Sequence, residues 1–120
     1  MLKLMVVDDS MLIRKKIIRE HDENKFLLVG EAANGLDAIK MFKQHRPDIV
    51  TMDLTMPHLD GIGCIEQIME IDPNVNILVV SALSDEDTGM EALEKGAKGF
   101  VNKPFTEEQI MEALDIIVSD

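Results

Sequence analysis

The sequence predicts an α/β domain of five βα units, one sheet carrying helices on both faces. Short apolar runs alternate along the chain with longer segments of helical period. Several runs are apolar without polar alternation, as expected of strands buried on both faces of a parallel sheet. Turn and cap residues fall in the gaps between them.

The first run is Leu4–Val7 after Lys3, followed by a helix over Ser10–His21. FLLVG from Phe26 reads as strand 2, Asn34-Gly35 as a turn and Leu36–His45 as helix 2. DIVTM from Asp48 gives strand 3, and helix 3 spans Ile62–Ile71 up to the stop at Asp72-Pro73. NILVVS from Asn76 is strand 4, and helix 4 covers Asp85–Lys95 with Gly96 as its C-cap. GFVN from Gly99 is strand 5. The last helix, Thr106–Val118, places Ile110, Ala113, Leu114 and Ile117 on one face. Thr106 and Gln109 form a capping-box pattern at its start.

With 120 residues, 46% of them apolar, the chain is expected to fold as one domain, 1–120, with its own core. It shows no linker, low-complexity tract or internal repeat. The single cysteine, Cys64, excludes an internal disulfide and fits a reducing compartment. MLKLMVVDDS is no secretory signal, and no apolar stretch approaches a membrane span, so a cytoplasmic protein is expected. The net charge of −11 with no basic stripe argues against nucleic-acid binding by this chain; it suits solubility and steering toward a basic partner.

In open α/β sheets, ligands bind beyond the carboxyl ends of the strands. Strand 1 ends in Asp8-Asp9, strand 3 in Asp53, strand 4 in Ser81 and strand 5 in Lys103-Pro104. Strand 2, ending in Glu31-Ala32-Ala33, offers no candidate reactive side chain. Each signal is weak by itself: an Asp-Asp pair is commonly a helix cap, a serine a loop residue and a lysine a solvated cation. Together they place three carboxylates, a hydroxyl and an ammonium along one edge. Crowded carboxylates require a proton or a cation between them, and oxygen ligands favour Mg²⁺ over zinc. Lys103 is able to grip a phosphoryl oxygen and Ser81 to donate to another. A carboxylate nucleophile, a metal, a lysine and a hydroxyl suit phosphoryl transfer.

VVDDS, DLTMPHLDG, VVSAL and FVNKPF, in that order, resemble the receiver domain of bacterial response regulators over essentially the whole chain. The likeness is greatest to stand-alone chemotaxis regulators of the CheY type. The resemblance implies a flavodoxin-like, doubly wound (βα)5 sandwich with parallel strand order 2-1-3-4-5. It implies two-component signalling, with Asp53 accepting a phosphoryl group from a histidine kinase. Asp9, Asp53 and the backbone carbonyl of Thr55 would bind Mg²⁺, and Asp8 would act through a metal-bound water. Lys103 and Ser81 would contact the phosphoryl group, and the Lys103–Pro104 peptide would be cis. Ser81 and Phe100 would form the switch, Gly61 would serve as a small turn residue and Ala82 would leave room beside the acceptor. Thr55 and Leu83 would tune phosphoryl lifetime.

The resemblance further implies a monomer with no turnover activity in the usual sense, assisting its own phosphorylation and dephosphorylation. Its downstream partner would be a target such as a flagellar motor switch protein. The chain ends at Asp120 without an effector segment, the form of a stand-alone regulator, a phosphorelay intermediate or an excised receiver.

Other readings fit less well. A haloacid dehalogenase-type phosphohydrolase carries a second Asp where this chain has Thr55. A flavodoxin-like FMN protein needs a hydroxyl- and glycine-rich loop where this chain has carboxylates. A receiver-shaped module that is never phosphorylated would not retain the full residue set. His21, His45 and His58 lack metal-ligand spacing, Cys64 reads as a packing residue, the methionines as core filler, and Asp85, Glu86 and Asp87 as complements to the helix 4 dipole.

Overall fold

The computed structural model describes residues 1–54, 56, 59–82 and 86–119, with backbone alone for Glu20, Glu86 and Asp87. The elements are β1 (Leu2–Val7), α1 (Met11–Glu20), β2 (Phe26–Ala32), α2 (Gly35–His45), β3 (Ile49–Met52), α3 (Gly61–Ile71), β4 (Asn76–Ser81), α4 (Glu86–Glu94), β5 (Gly99–Asn102) and α5 (Glu107–Val118). The strands form one parallel sheet of order β2-β1-β3-β4-β5, so the fold is the flavodoxin-like α/β sandwich.

Strand alternation divides the core into two layers. Met5, Val7, Val50, Met52, Ile77 and Val79 pack against Ala38, Ile39 and Phe42 of α2, Cys64, Ile65 and Ile68 of α3 and Ala92 of α4. Leu4, Val6, Ile49, Leu78 and Val80 face Ile17 of α1 and Ile110, Leu114 and Ile117 of α5. The central strands β1, β3 and β4 are thus largely apolar on both faces because both are covered, with Thr51 and Ser81 as buried polar residues. The edge strand β2 is only partly buried between its ends. Right-handed crossovers put α1 and α5 on one face and α2, α3 and α4 on the other. The chain reverses its direction of winding between β1 and β3, which opens a crevice beyond the ends of those two strands.

Local signals fix the helix ends. Thr106 Oγ1 accepts from the Gln109 N–H at 3.1 Å while Gln109 Oε1 accepts from the Thr106 N–H at 2.8 Å. Gly96, at φ +126°, follows α4 in a conformation that a side chain would strain. Asp72 caps the C-terminus of α3 before Pro73. The expected turn at Asn34-Gly35 is instead a helix start. Asn34 Oδ1 accepts from the Asp37 N–H at 2.9 Å, and Gly35 is the first helical residue. An asparagine side chain that accepts from the backbone serves an N-cap as well as a turn, so Asn-Gly alone does not distinguish them. Asp85 lies outside the described residues.

Candidate functional site

The acidic pair after β1 is not the helix cap. Ser10 takes that place, its Oγ accepting from the Ile13 N–H at 3.3 Å. Asp8 is left buried at the strand end with Oδ1 accepting from the Ser10 N–H at 2.9 Å, and Asp9 is exposed. Backbone hydrogen bonds continue the sheet into the site. The Asp8 N–H donates to Ala32 O at 3.0 Å, Asp53 N–H to Val7 O at 3.0 Å and Lys103 N–H to Ser81 O at 2.9 Å. Asp8, Asp9, Asp53 and Lys103 therefore stand one or two residues past a hydrogen-bonded strand end, and Ser81 is the last residue of β4.

One carboxylate oxygen from each of Asp8, Asp9 and Asp53 falls within 4.8 Å of the others. Lys103 reaches into the group, with Nζ 2.7 Å from Asp8 Oδ2 and 3.8 Å from Asp53 Oδ2. Asp8 Oδ2 accepts no well-aligned hydrogen bond, so this contact is an ion pair made by proximity. Asp8 and Asp53 are 1% and 2% exposed, which weakens water's screening of their mutual repulsion. Hard oxygen donors without sulfur or imidazole fit Mg²⁺, and three carboxylates against one ammonium leave negative charge for such an ion to balance.

Ser81 is fully buried at the end of β4, beside Asn102 in the β4–β5 register. Ala82 is exposed. Phe100 is half-buried on β5 and packs against the α2–α4 side of the core. A Cβ placed on Gly89 of α4 would stand 3.4 Å from its ring. The Lys103–Pro104 peptide is cis. Gly61 starts α3 directly beside the end of β3, where a Cβ would lie 2.3 Å from Asp53 O and 2.5 Å from Leu54 Cα. The need here is close approach of two backbones. Thr55, His58 and Leu83 lie outside the described residues.

Among the described residues, strand 2 adds no carboxylate to the cluster, and its Glu31 reaches the site through Arg14. Glu31 Oε1 is paired with Arg14 Nε at 3.1 Å, and Arg14 Nη1 donates to the Asp8 carbonyl at 2.6 Å. On the other flank of α1, Lys16 Nζ donates to Phe105 O at 2.6 Å and lies 4.6 Å from the centre of the Phe105 ring. Spacing along the chain signals neither contact.

Cys64 is buried in the α2–α3 layer, 3.8 Å from Gly35 O, and burial, reinforced by Asp60, pushes its thiol up to about 12. His21 follows the end of α1 with its ring at Ile18 O, and the His45 carbonyl accepts from Lys3 Nζ at 3.0 Å. No helix among the described residues is long and apolar enough to cross a membrane.

Residues 4–115 match the family model described as response regulator receiver domain. The chain is 43% identical over 115 residues to the chemotaxis protein CheY of Listeria monocytogenes, covering 96% of this chain and 97% of that one. It is 41% identical to the CheY of Thermotoga maritima, covering 94% of each. Among solved structures, the CheX-CheY-BeF3-Mg complex of Borrelia burgdorferi aligns with TM-score 0.94 and 34% identity, over 99% of this chain and 90% of that one. The sheet order, the strand-end carboxylates and these matches agree: the chain belongs to the response regulator receiver domain family.

Proposed function

We propose that residues 1–120 act as a single receiver that accepts a phosphoryl group on Asp53, with Mg²⁺ held by Asp9, Asp53 and the Thr55 carbonyl. The observation that carries this reading is the meeting of Asp8, Asp9, Asp53 and Lys103 at the ends of β1, β3 and β5. An Asp53 carboxylate oxygen attacks phosphorus, and the P–N bond of a kinase phosphohistidine breaks. The electron pair returns to the imidazole, which takes up a proton. Lys103 moves from Asp8 to the new phosphoryl oxygens, and Ser81 donates to another of them. Mg²⁺ supplies charge neutralisation to the transferring group. Asp8, whose Oδ1 already accepts from the Ser10 N–H, would hold the ion indirectly, through water.

The phosphoryl group adds about −1.5 to −2 charges at Asp53. Ser81 is drawn toward it, Phe100 turns inward, and the α4–β5–α5 face shifts toward its binding-competent form. The similarity to CheY proteins favours chemotaxis as the pathway, with a histidine kinase upstream and a flagellar motor switch protein downstream, in the cytoplasm. The chain assists its own phosphorylation and hydrolysis and turns over no external substrate. Incubation with a small acyl-phosphate donor and Mg²⁺ tests this. One acid-stable, base-labile phosphoryl group per chain, absent from Asp53→Asn, is expected. Steady turnover of phosphomonoesters, or full labelling of Asp53→Asn, refutes it.

A further inference from the structure

We propose that Arg14 is a positioning residue for the Asp8–Asp9 loop and thereby sets the divalent-cation affinity of the site. The inference rests on the Mg²⁺ reading above. Three of the four polar groups of Asp8 are fixed by other partners. Its N–H is held by Ala32 O, its Oδ1 by the Ser10 N–H and its Oδ2 by Lys103. The fourth, the carbonyl, is held by Arg14 Nη1 at 2.6 Å. That carbonyl shares a rigid peptide plane with the N–H of Asp9, so whatever orients it orients the departure of Asp9 from the strand.

Among the described residues the Asp9 carboxylate makes no hydrogen bond or ion pair, so its direction is set through its backbone. Arg14 is itself braced. Its side chain is 15% exposed, and its Nε is paired with Glu31 Oε1 at the end of β2. The planar guanidinium thus ties α1, the β1–α1 loop and β2 together at fixed angles. A lysine, with a single charged nitrogen, would not span both partners in that geometry.

The charge of Arg14 and its geometry act on the metal in opposite directions. Removing a cation near three carboxylates favours Mg²⁺ binding, whereas releasing the Asp8–Asp9 peptide disfavours it. Arg14→Lys keeps the charge and loses the bridge; Arg14→Ala loses both. Titrate the full chain and each variant with Mg²⁺ alone, following the Asp9 amide resonance, and measure metal-free thermal unfolding in parallel. Arg14→Lys, folded at the titration temperature, is expected to bind Mg²⁺ about tenfold more weakly than wild type, and Arg14→Ala, which also sheds the charge, to bind it more tightly than Arg14→Lys. Wild-type or tighter affinity in Arg14→Lys overturns the role of Arg14, and a purely structural role would lower the unfolding temperature without altering affinity. A wild-type chain that binds no Mg²⁺ overturns the metal reading itself, and the proposal with it.

Discussion

Lys103 Nζ lies 2.7 Å from Asp8 Oδ2 and 3.8 Å from Asp53 Oδ2, so the lysine rests on the carboxylate that is not the proposed acceptor. This is the arrangement expected of a site awaiting a phosphoryl group. The ammonium offsets buried negative charge and has a short distance to travel.

Replacing Lys103 by Met leaves the Asp8 carboxylate buried without its cation. Metal-free stability should fall by about 1–3 kcal/mol. Mg²⁺ should recover part of this loss and bind more tightly than in wild type, since a competing cation is gone. Urea unfolding with and without Mg²⁺ measures both effects. A variant as stable as wild type without metal would show that the Lys103–Asp8 contact contributes nothing.

Gly61→Ala should act on Asp53 through the backbone. The new Cβ would meet Asp53 O and Leu54 Cα, main-chain atoms that move only with the β3 end. A loss of about 1–3 kcal/mol is expected, with slower labelling from acyl phosphate. Unchanged labelling in the folded variant would dissociate this close approach from the chemistry.

Cys64 gives a pH dependence of definite sign. Its folded thiol is pushed from 9.0 to about 12, so the unfolded chain loses its proton first as pH rises. The contribution is complete below pH 9 and declines between 9 and about 12. The stability deficit of Cys64→Ala measured at neutral pH should therefore shrink at pH 10. Alkylation of the native thiol at pH 8 should be slow. A deficit that is constant with pH contradicts the assignment.

Phe100 should link Asp53 to the partner face. Its ring packs on the core beside Gly89, so an inward turn alters both β5 and the α4 surface. Beryllofluoride with Mg²⁺ should shift resonances from β5 through α5 in wild type, and the coupling should give roughly 5–150-fold tighter target binding. In Phe100→Ala the shifts should remain near Asp53 and the binding gain should disappear. An equal gain in the variant would remove Phe100 from the switch.

Much of this was legible in the sequence because strand ends in a parallel sheet are one-dimensional features. A run of apolar residues stops, and the next side chain faces the crevice. Asp9, Asp53, Ser81 and Lys103 could be placed that way, and the Thr106 cap by its spacing to Gln109. Three consecutive residues able to cap a helix, Asp8, Asp9 and Ser10, left the cap of α1 open until the hydrogen bond to Ile13 assigned it. The pairing of Arg14 with Glu31 had no signal, because the two residues stand 17 apart and meet only through the packing of α1 on β2. The approach of Gly61 to Asp53 is likewise a property of two backbones.

The most direct measurement is a crystal structure of the chain with Mg²⁺ and beryllofluoride. Beryllofluoride is expected on Asp53, Mg²⁺ between Asp9 and Asp53, and Lys103 withdrawn from Asp8 onto a fluoride. Beryllofluoride on another residue, or Lys103 still on Asp8 with the acceptor occupied, would contradict it.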